Sequence, residues 1–379
     1  FWLSRTLFAA SYFPSSKTDD GIPDSKPCFE TEIPELKTSN QMKFVEKYLR
    51  FELAKEMLQT PNIARNFRLD DVSRALQAIQ ASGKLFLTGE GSSRIFPAKN
   101  AIYSALTSGL DLQIVTEGGR QAAEYDLADY VVFAASNSGS TKEAISLLDQ
   151  LTKAGHQNLF GLTAREETTL ASYANETFVL KCGWEQAVAA TKSVAEQALF
   201  YQELVAQLQG KSILSQLPAL GDAMETALTI EIDPEVTKAI AGAGTIYFAG
   251  RNDGVGEELA LKTNEITRKK SDFLEGTYAV HGIEEVMDAD DVVVAINPFE
   301  AELQKLKETL ADGVGLTIVT ISTAETIFPG IVIPDVGSLQ NYVYLAAGWN
   351  ILVEVGISLG VDLDKAERAR KVGNEFTAG

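Results

Sequence analysis

The sequence predicts an α/β protein built from two duplicated three-layer domains, each a mainly parallel sheet flanked by helices. Three observations carry this expectation. From Lys84 onward, short apolar runs alternate with Gly/Ser turns and amphipathic stretches, the pattern of βαβ units. The pattern repeats at one offset: Gly89 and Gly250 lie 161 residues apart, as do Val131-Val132-Phe133-Ala134-Ala135-Ser136 and Val292-Val293-Val294-Ala295-Ile296-Asn297. Each half closes on a long apolar helix, near 188–208 and 342–359.

Taken in order, residues 1–41 combine an irregular aromatic start with Asp19-Asp20-Gly21, Pro23, Pro27 and Pro34, which is loop chemistry. They are expected to form a poorly ordered extension, lacking the apolar core of a secretory signal. A helical run opens at Met42. The first domain is expected over 42–215, with strands at Leu85–Leu87, Ile114-Val115, Tyr130–Phe133, Leu159–Leu162 and Phe178–Leu180. The second is expected over 216–379, with strands at Ile246–Phe248, Val292–Val294, Thr317–Val319 and Ile331–Ile333. Between them, 210–244 carries Pro218, Gly221 and Pro234 around a helical stretch and reads as a linker.

Composition narrows the function. With 33 basic against 52 acidic residues, the formal charge of −19 disfavours both nucleic acid and anionic membrane surfaces as partners. No apolar run approaches the ~20 residues of a membrane helix. Cys28, Cys182 and two histidines cannot supply a disulfide framework or a Cys/His zinc cluster. A soluble cytoplasmic protein without metal or organic cofactor is expected.

In parallel sheets, ligands sit beyond the carboxyl ends of strands. Two loops there are rich in small hydroxyl residues: Gly89-Glu90-Gly91-Ser92-Ser93 and Ser136-Asn137-Ser138-Gly139-Ser140-Thr141. Their amides and hydroxyls suit a phosphate monoester, although serine-rich loops also serve simply as helix caps. No Gly-x4-Gly-Lys-Ser/Thr string occurs, so this is not a nucleotide P-loop. In the second half, Lys262 and Glu265 share a helix face; such pairs are usually solvated. His281 lies in a glycine-flanked stretch. A glutamate and a histidine beside a polyol would be natural proton carriers. His156 reads as a histidine at a helix C-terminus and is given no chemistry.

From Met42 onward the chain resembles the tandem sugar isomerase (SIS) family, in particular the isomerase half of glucosamine-6-phosphate synthases. The matching segments are Gly91-Ser92-Ser93, the Ser136–Thr141 loop, Glu185-Gln186-Ala187-Val188-Ala189-Ala190-Thr191-Lys192, Leu261-Lys262-Thr263-Asn264-Glu265, His281-Gly282, and Asp362-Leu363-Asp364 followed by Arg368 and Lys371. The resemblance implies a substrate site formed by Ser92, Ser93, Ser136, Asn137, Ser138, Thr141, Val188, Ala190 and Lys262. It also implies Glu265 as the base between C1 and C2, Lys371 as a Schiff-base amine, and His281 as a ring-opening group reaching in from a neighbouring subunit. A homodimer or higher homo-oligomer follows.

Departures accompany the match. Ala190 replaces a serine, Tyr278 a customary glutamate, and the tail ends without the usual Ser-Val-Thr-Val-Glu. The resemblance does not extend to a glutaminase domain, so ammonia delivery from glutamine within this chain is not expected. The expected function is a sugar-phosphate isomerase or isomerising deaminase acting on a ketose or amino-sugar 6-phosphate. A fructosamine-6-phosphate deglycase is the alternative within enzymes, and a sugar-phosphate sensor the alternative outside them.

Overall fold

A computed structural model describes residues 47–377; the expected extension over 1–41, Met42 at the start of the helical run, and the last two residues lie outside the described residues. The first sheet holds β1 (Lys84–Thr88), β2 (Gln113–Glu117), β3 (Val131–Ala135), β4 (Leu159–Thr163) and β5 (Glu176–Val179), in the order β2-β1-β3-β4-β5. The second holds β6 (Thr245–Gly250), β7 (Lys270–Glu275), β8 (Val292–Ile296), β9 (Thr317–Ser322) and β10 (Gly330–Val332), in the order β7-β6-β8-β9-β10. The orders correspond strand for strand, and every pairing is parallel. The two five-stranded sheets flanked by helices match the architecture expected from the sequence.

β7 is the strand the apolar pattern does not reveal. Lys270-Ser271-Asp272-Phe273-Leu274-Glu275 has one fully buried residue, Leu274, because it is an edge strand. It is held by backbone pairing with β6 over its whole length, and backbone pairing leaves no mark on side-chain polarity. The central strands β3 and β8 are buried at every position and read as unbroken apolar runs, as fully covered parallel strands do.

The longer helices are α1 (Glu52–Asn66), α2 (Ser73–Ser82), α3 (Ile95–Thr107), α4 (Lys142–Lys153), α5 (Lys192–Leu208), α6 (Leu217–Thr229), α7 (Pro234–Gly242), α8 (Val255–Thr267) and α9 (Gln340–Ser358). The segment expected to be a linker contains α6 and α7, and it is not a tether. Leu217, Leu220, Met224 and Leu228 of α6 are buried, and the helix packs on both α1 and α9. Its prolines sit in the first turns of the two helices, where a missing N–H costs nothing, rather than in a loop. One apolar cluster runs through α1, α5, α6 and α9 and the inner faces of both sheets. A separate cluster covers the outer face of each sheet, around Phe86, Val132 and Leu148 in one half and Tyr247, Val293 and Leu310 in the other. Among the described residues no helix is long and apolar enough to cross a membrane.

Gly89 shows how tightly the first strand end is packed. A Cβ there would lie 2.8 Å from the Ala135 carbonyl oxygen and 3.0 Å from that of Ser93. Both obstacles are backbone. Gly89→Ala is therefore expected to cost about 1–3 kcal/mol of stability, readable as a lower urea midpoint with an unchanged slope.

Candidate functional site

A cleft of about 400 Å³ opens at the carboxyl ends of β1 and β3, within the range of small-ligand sites. Five pieces of chain meet there: the two hydroxyl-rich loops, the segment before α5, one face of α8 from the other half, and the C-terminal tail.

The Ser136–Thr141 loop leaves β3 and feeds α4. Thr141 occupies the N-cap position without making a side-chain cap bond; its hydroxyl instead pairs with Ser136 Oγ at 2.7 Å. Ser136 Oγ also accepts from the Gly139 amide at 3.1 Å, and Ser138 Oγ from the Ser140 amide at 3.2 Å. The hydroxyls thus organise one another. Gly139 has φ +64°, and a Cβ there would fall 2.3 Å from the Thr168 side chain, so the turn requires glycine. Asn137 lines the cleft, and its side-chain oxygen is buried without a protein partner. A ligand hydroxyl would satisfy it.

The opposite wall is α8. Lys262, expected to form a solvated pair with Glu265, is completely buried. Its ammonium donates to Glu265 Oε2 and to Ser92 Oγ, both at 2.7 Å, and lies 3.4 Å from Glu258 Oε1. Sequence spacing shows that Lys262 and Glu265 share a face; it does not show that the face meets the other half of the protein. Burial alone would depress the Lys262 pKa, but the carboxylates of Glu265 and Glu258 outweigh it and raise the value. Burial raises the Glu258 carboxyl as well.

The third wall, before α5, is irregular backbone tied down by buried carboxylates. Glu185 caps α5 by accepting from the amides of Thr191 at 2.8 Å and Lys192 at 2.9 Å, and from the Ser193 hydroxyl. Glu56 of α1 accepts from the Ala187 amide at 3.2 Å and the Gln186 amide at 2.5 Å. This presents Val188 and Ala190 to the cleft.

The tail then crosses from the second half to the first. The Lys142 amide donates to the Asn374 carbonyl at 3.1 Å, the Phe376 amide to the Ser140 carbonyl at 2.9 Å, and Thr141 bridges Glu375. Lys371 is thereby brought over the cleft, donating to the Ala187 carbonyl with its ammonium 5.2 Å from the Trp184 ring centre. Desolvation lowers the Lys371 pKa from the ordinary 10.5, against the opposing pull of Glu185 and Glu56.

Of the residues singled out in the sequence, Ser92, Ser93, Asn137, Ser138, Thr141, Val188, Ala190, Lys262, Glu265 and Lys371 line this one cleft. Ser136 stands behind them, 2% exposed, as a hydrogen-bonding support. His281 does not join them: it is exposed, in a loop after β7. His156 is a structural group, with Nε2 3.1 Å from the Leu127 carbonyl and Nδ1 accepting from the Asn158 amide. Sequence reasoning missed Glu90, Glu143, Trp184, Arg370 and Asn374 as lining residues. Trp184 directly precedes the Glu185 segment, and that adjacency was the available signal. Among the described residues no cluster of His, Cys, Asp and Glu is placed to hold a metal ion.

No family model matches the chain. Its curated relatives include glutamine–fructose-6-phosphate aminotransferase (isomerizing) of Vibrio vulnificus, 25% identical over an alignment of 258 positions that covers 62% of this chain and 42% of the relative. The chain therefore spans less than half the length of that relative. Among solved structures, the C-terminal domain of the glucosamine-fructose-6-phosphate aminotransferase of Francisella tularensis superposes with TM-score 0.69 at 17% identity, covering 85% of this chain and 99% of that one. Glucosamine-6-phosphate deaminase of Thermotoga maritima superposes with TM-score 0.65 at 19% identity, over 85% and 99%. The chain has the tandem sugar isomerase fold. In sequence it resembles the isomerase portion of the aminotransferase.

Lys262 is the charge on which the α8 wall depends. Replacing it by methionine leaves Glu258 and Glu265 facing each other without a counter-ion, and about 3–5 kcal/mol of stability is expected to be lost at neutral pH. The loss should shrink toward acid pH, because protonating Glu258 removes the repulsion. Urea unfolding of Lys262→Met at several pH values measures both.

Proposed function

We propose that the chain is a sugar-phosphate isomerase-type enzyme acting on a ketose or amino-sugar 6-phosphate, with the isomerising deamination of an amino-sugar phosphate as its favoured reaction. The observation that carries this reading is the convergence of Glu265, Lys371 and the Ser136–Thr141 loop on one cleft. The loop hydroxyls and amides take the phosphate. Lys262 donates to Glu265 and so holds its carboxylate toward the sugar.

In the open-chain amino sugar, Glu265 removes the C2 proton toward the C1 aldehyde, giving an enolamine, and returns it at C1. The product carries an imine at C2. The free amine of Lys371 adds to that carbon and ammonia leaves, giving a lysine Schiff base. One water molecule then releases the ketose phosphate and restores the amine. A lysine beside the carbonyl end has no role in a plain aldose–ketose exchange, so its placement favours the amino-sugar reaction. Ring opening is assigned to His281 of a second copy, since the histidine of the same chain lies outside the cleft. The active form is then a homodimer or higher assembly.

Incubation with glucosamine 6-phosphate should release ammonia and fructose 6-phosphate in equal amounts. Glu265→Gln should lower kcat by about 10²–10⁴-fold while leaving ligand binding intact. If no hexose phosphate or amino-sugar phosphate is turned over yet these ligands bind, the protein is a sensor and the reading fails. Turnover confined to fructosamine 6-phosphate would mark a deglycase.

Borohydride should trap substrate carbon on Lys371. The trapping rate should rise with pH through a midpoint below the 10.5 of an ordinary lysine, because desolvation favours the free amine. Label on another lysine, or an unshifted midpoint, counts against the assignment. Mixing inactive His281→Ala and Glu265→Gln proteins should restore about a quarter of normal activity if sites are shared across a two-fold interface. No recovery after subunit exchange would place the histidine elsewhere.

A further inference from the structure

The internal duplication creates a second cleft, of about 580 Å³, in the position the repeat predicts. It opens at the carboxyl end of β8, the counterpart of β3, beside Asn297, which stands where Ser136 stands in the first half. One wall is α3 of the other half, as α8 of the other half walls the first cleft. The third side is the segment leading into α9, which corresponds to the segment before α5.

The chemistry of the two clefts differs. In place of Ser136-Asn137-Ser138-Gly139 the second half has Asn297-Pro298-Phe299-Glu300. Proline removes an amide donor, the hydroxyls are gone and an acid is added, so no phosphate cradle can form. Among the described residues no lysine or arginine lines this cleft, and its one ionisable acid is Asp335. An anion is therefore disfavoured.

What remains is hydroxyl, amide and aromatic. From α3 come Tyr103, Ser104 and Thr107, and from the facing side Ser338, Asn341 and Tyr344. The floor is rigid: the Asn341 amide donates to Asn100 Oδ1 at 3.0 Å, and the Asn100 amide donates to Gln202 Oε1 at 3.1 Å, with Asn100 only 1% exposed. Asn297 holds φ +44°, and Arg251 donates to its carbonyl, fixing a left-handed residue at the mouth of the strand. Preorganised amides and hydroxyls with flanking aromatic rings match the hydroxyl array and apolar face of a pyranose.

We propose that the second cleft binds an unphosphorylated monosaccharide as an uncharged, polyhydroxylated ligand. This does not rest on the reaction assigned to the first cleft.

Saturation-transfer NMR on the full chain with glucose, galactose and N-acetylglucosamine tests it. At least one sugar should give a signal, and Thr107→Trp or Ser338→Trp, which fill the cleft from opposite exposed rims, should weaken its binding at least tenfold. Binding of glucosamine 6-phosphate to the same variants should stay within twofold, which also shows that they are folded. The unphosphorylated sugar should remain bound when the first cleft is saturated with that phosphate. Absence of signal from all three sugars overturns the proposal. So does a signal that survives both tryptophans, or one that the sugar phosphate displaces.

Discussion

A fully buried ammonium, that of Lys262, sets the geometry of the site. An unpaired charge at zero exposure would cost several kcal/mol, so it must be surrounded by acceptors. Glu258 and Glu265 come from the same helix, one turn to either side, and Ser92 comes from the other half of the chain. Satisfying Lys262 therefore places α8 against the first-half loop. The same contact holds Glu265 at the cleft wall, where the proposed proton transfer needs it. Stability and the proposed chemistry share one set of atoms.

The second constraint is irregular backbone inside the core. Residues 181–191 carry no helix or strand, yet several of their amides are shielded from water. Glu56, Glu185 and Glu196, each 4% exposed or less, accept from these amides; Glu196 takes those of Lys181 and Cys182. Part of the large acidic excess is thus internal scaffolding rather than surface charge. This scaffolding gives Lys371 its surroundings: the Ala187 carbonyl that receives it, and the Glu185 and Glu56 carboxylates that oppose its desolvation.

The two halves keep one topology and diverge at their loops. Strand order, central burial and the closing helices are repeated, because both sheets must be covered on both faces. The loops at the strand ends are free of that demand. In one half they are hydroxyl-rich and meet the tail; in the other they hold a proline and an aromatic ring. Swapping α3 and α8 between halves gives each cleft a wall from its partner, so neither cleft is complete in a single half.

The sequence alone determined the fold class, the duplication and about half of the residues that line the first cleft. Apolar periodicity reports burial, and the 161-residue offset reports ancestry in the chain itself. The hydroxyl-rich loops were legible because two of them follow strand ends in one half, the place where parallel sheets hold ligands. Tertiary structure decided the rest. The edge strand β7 is held by backbone pairing, which side-chain polarity does not encode. The helices between the halves looked like a tether because proline and glycine mark helix starts and close packing as well as loops. Lys262 looked solvated because periodicity gives the face of a helix and not what that face meets. Glu143 and Asn374 join the cleft only where the tail returns across the serine loop, a contact between residues over 200 positions apart that local pattern cannot express.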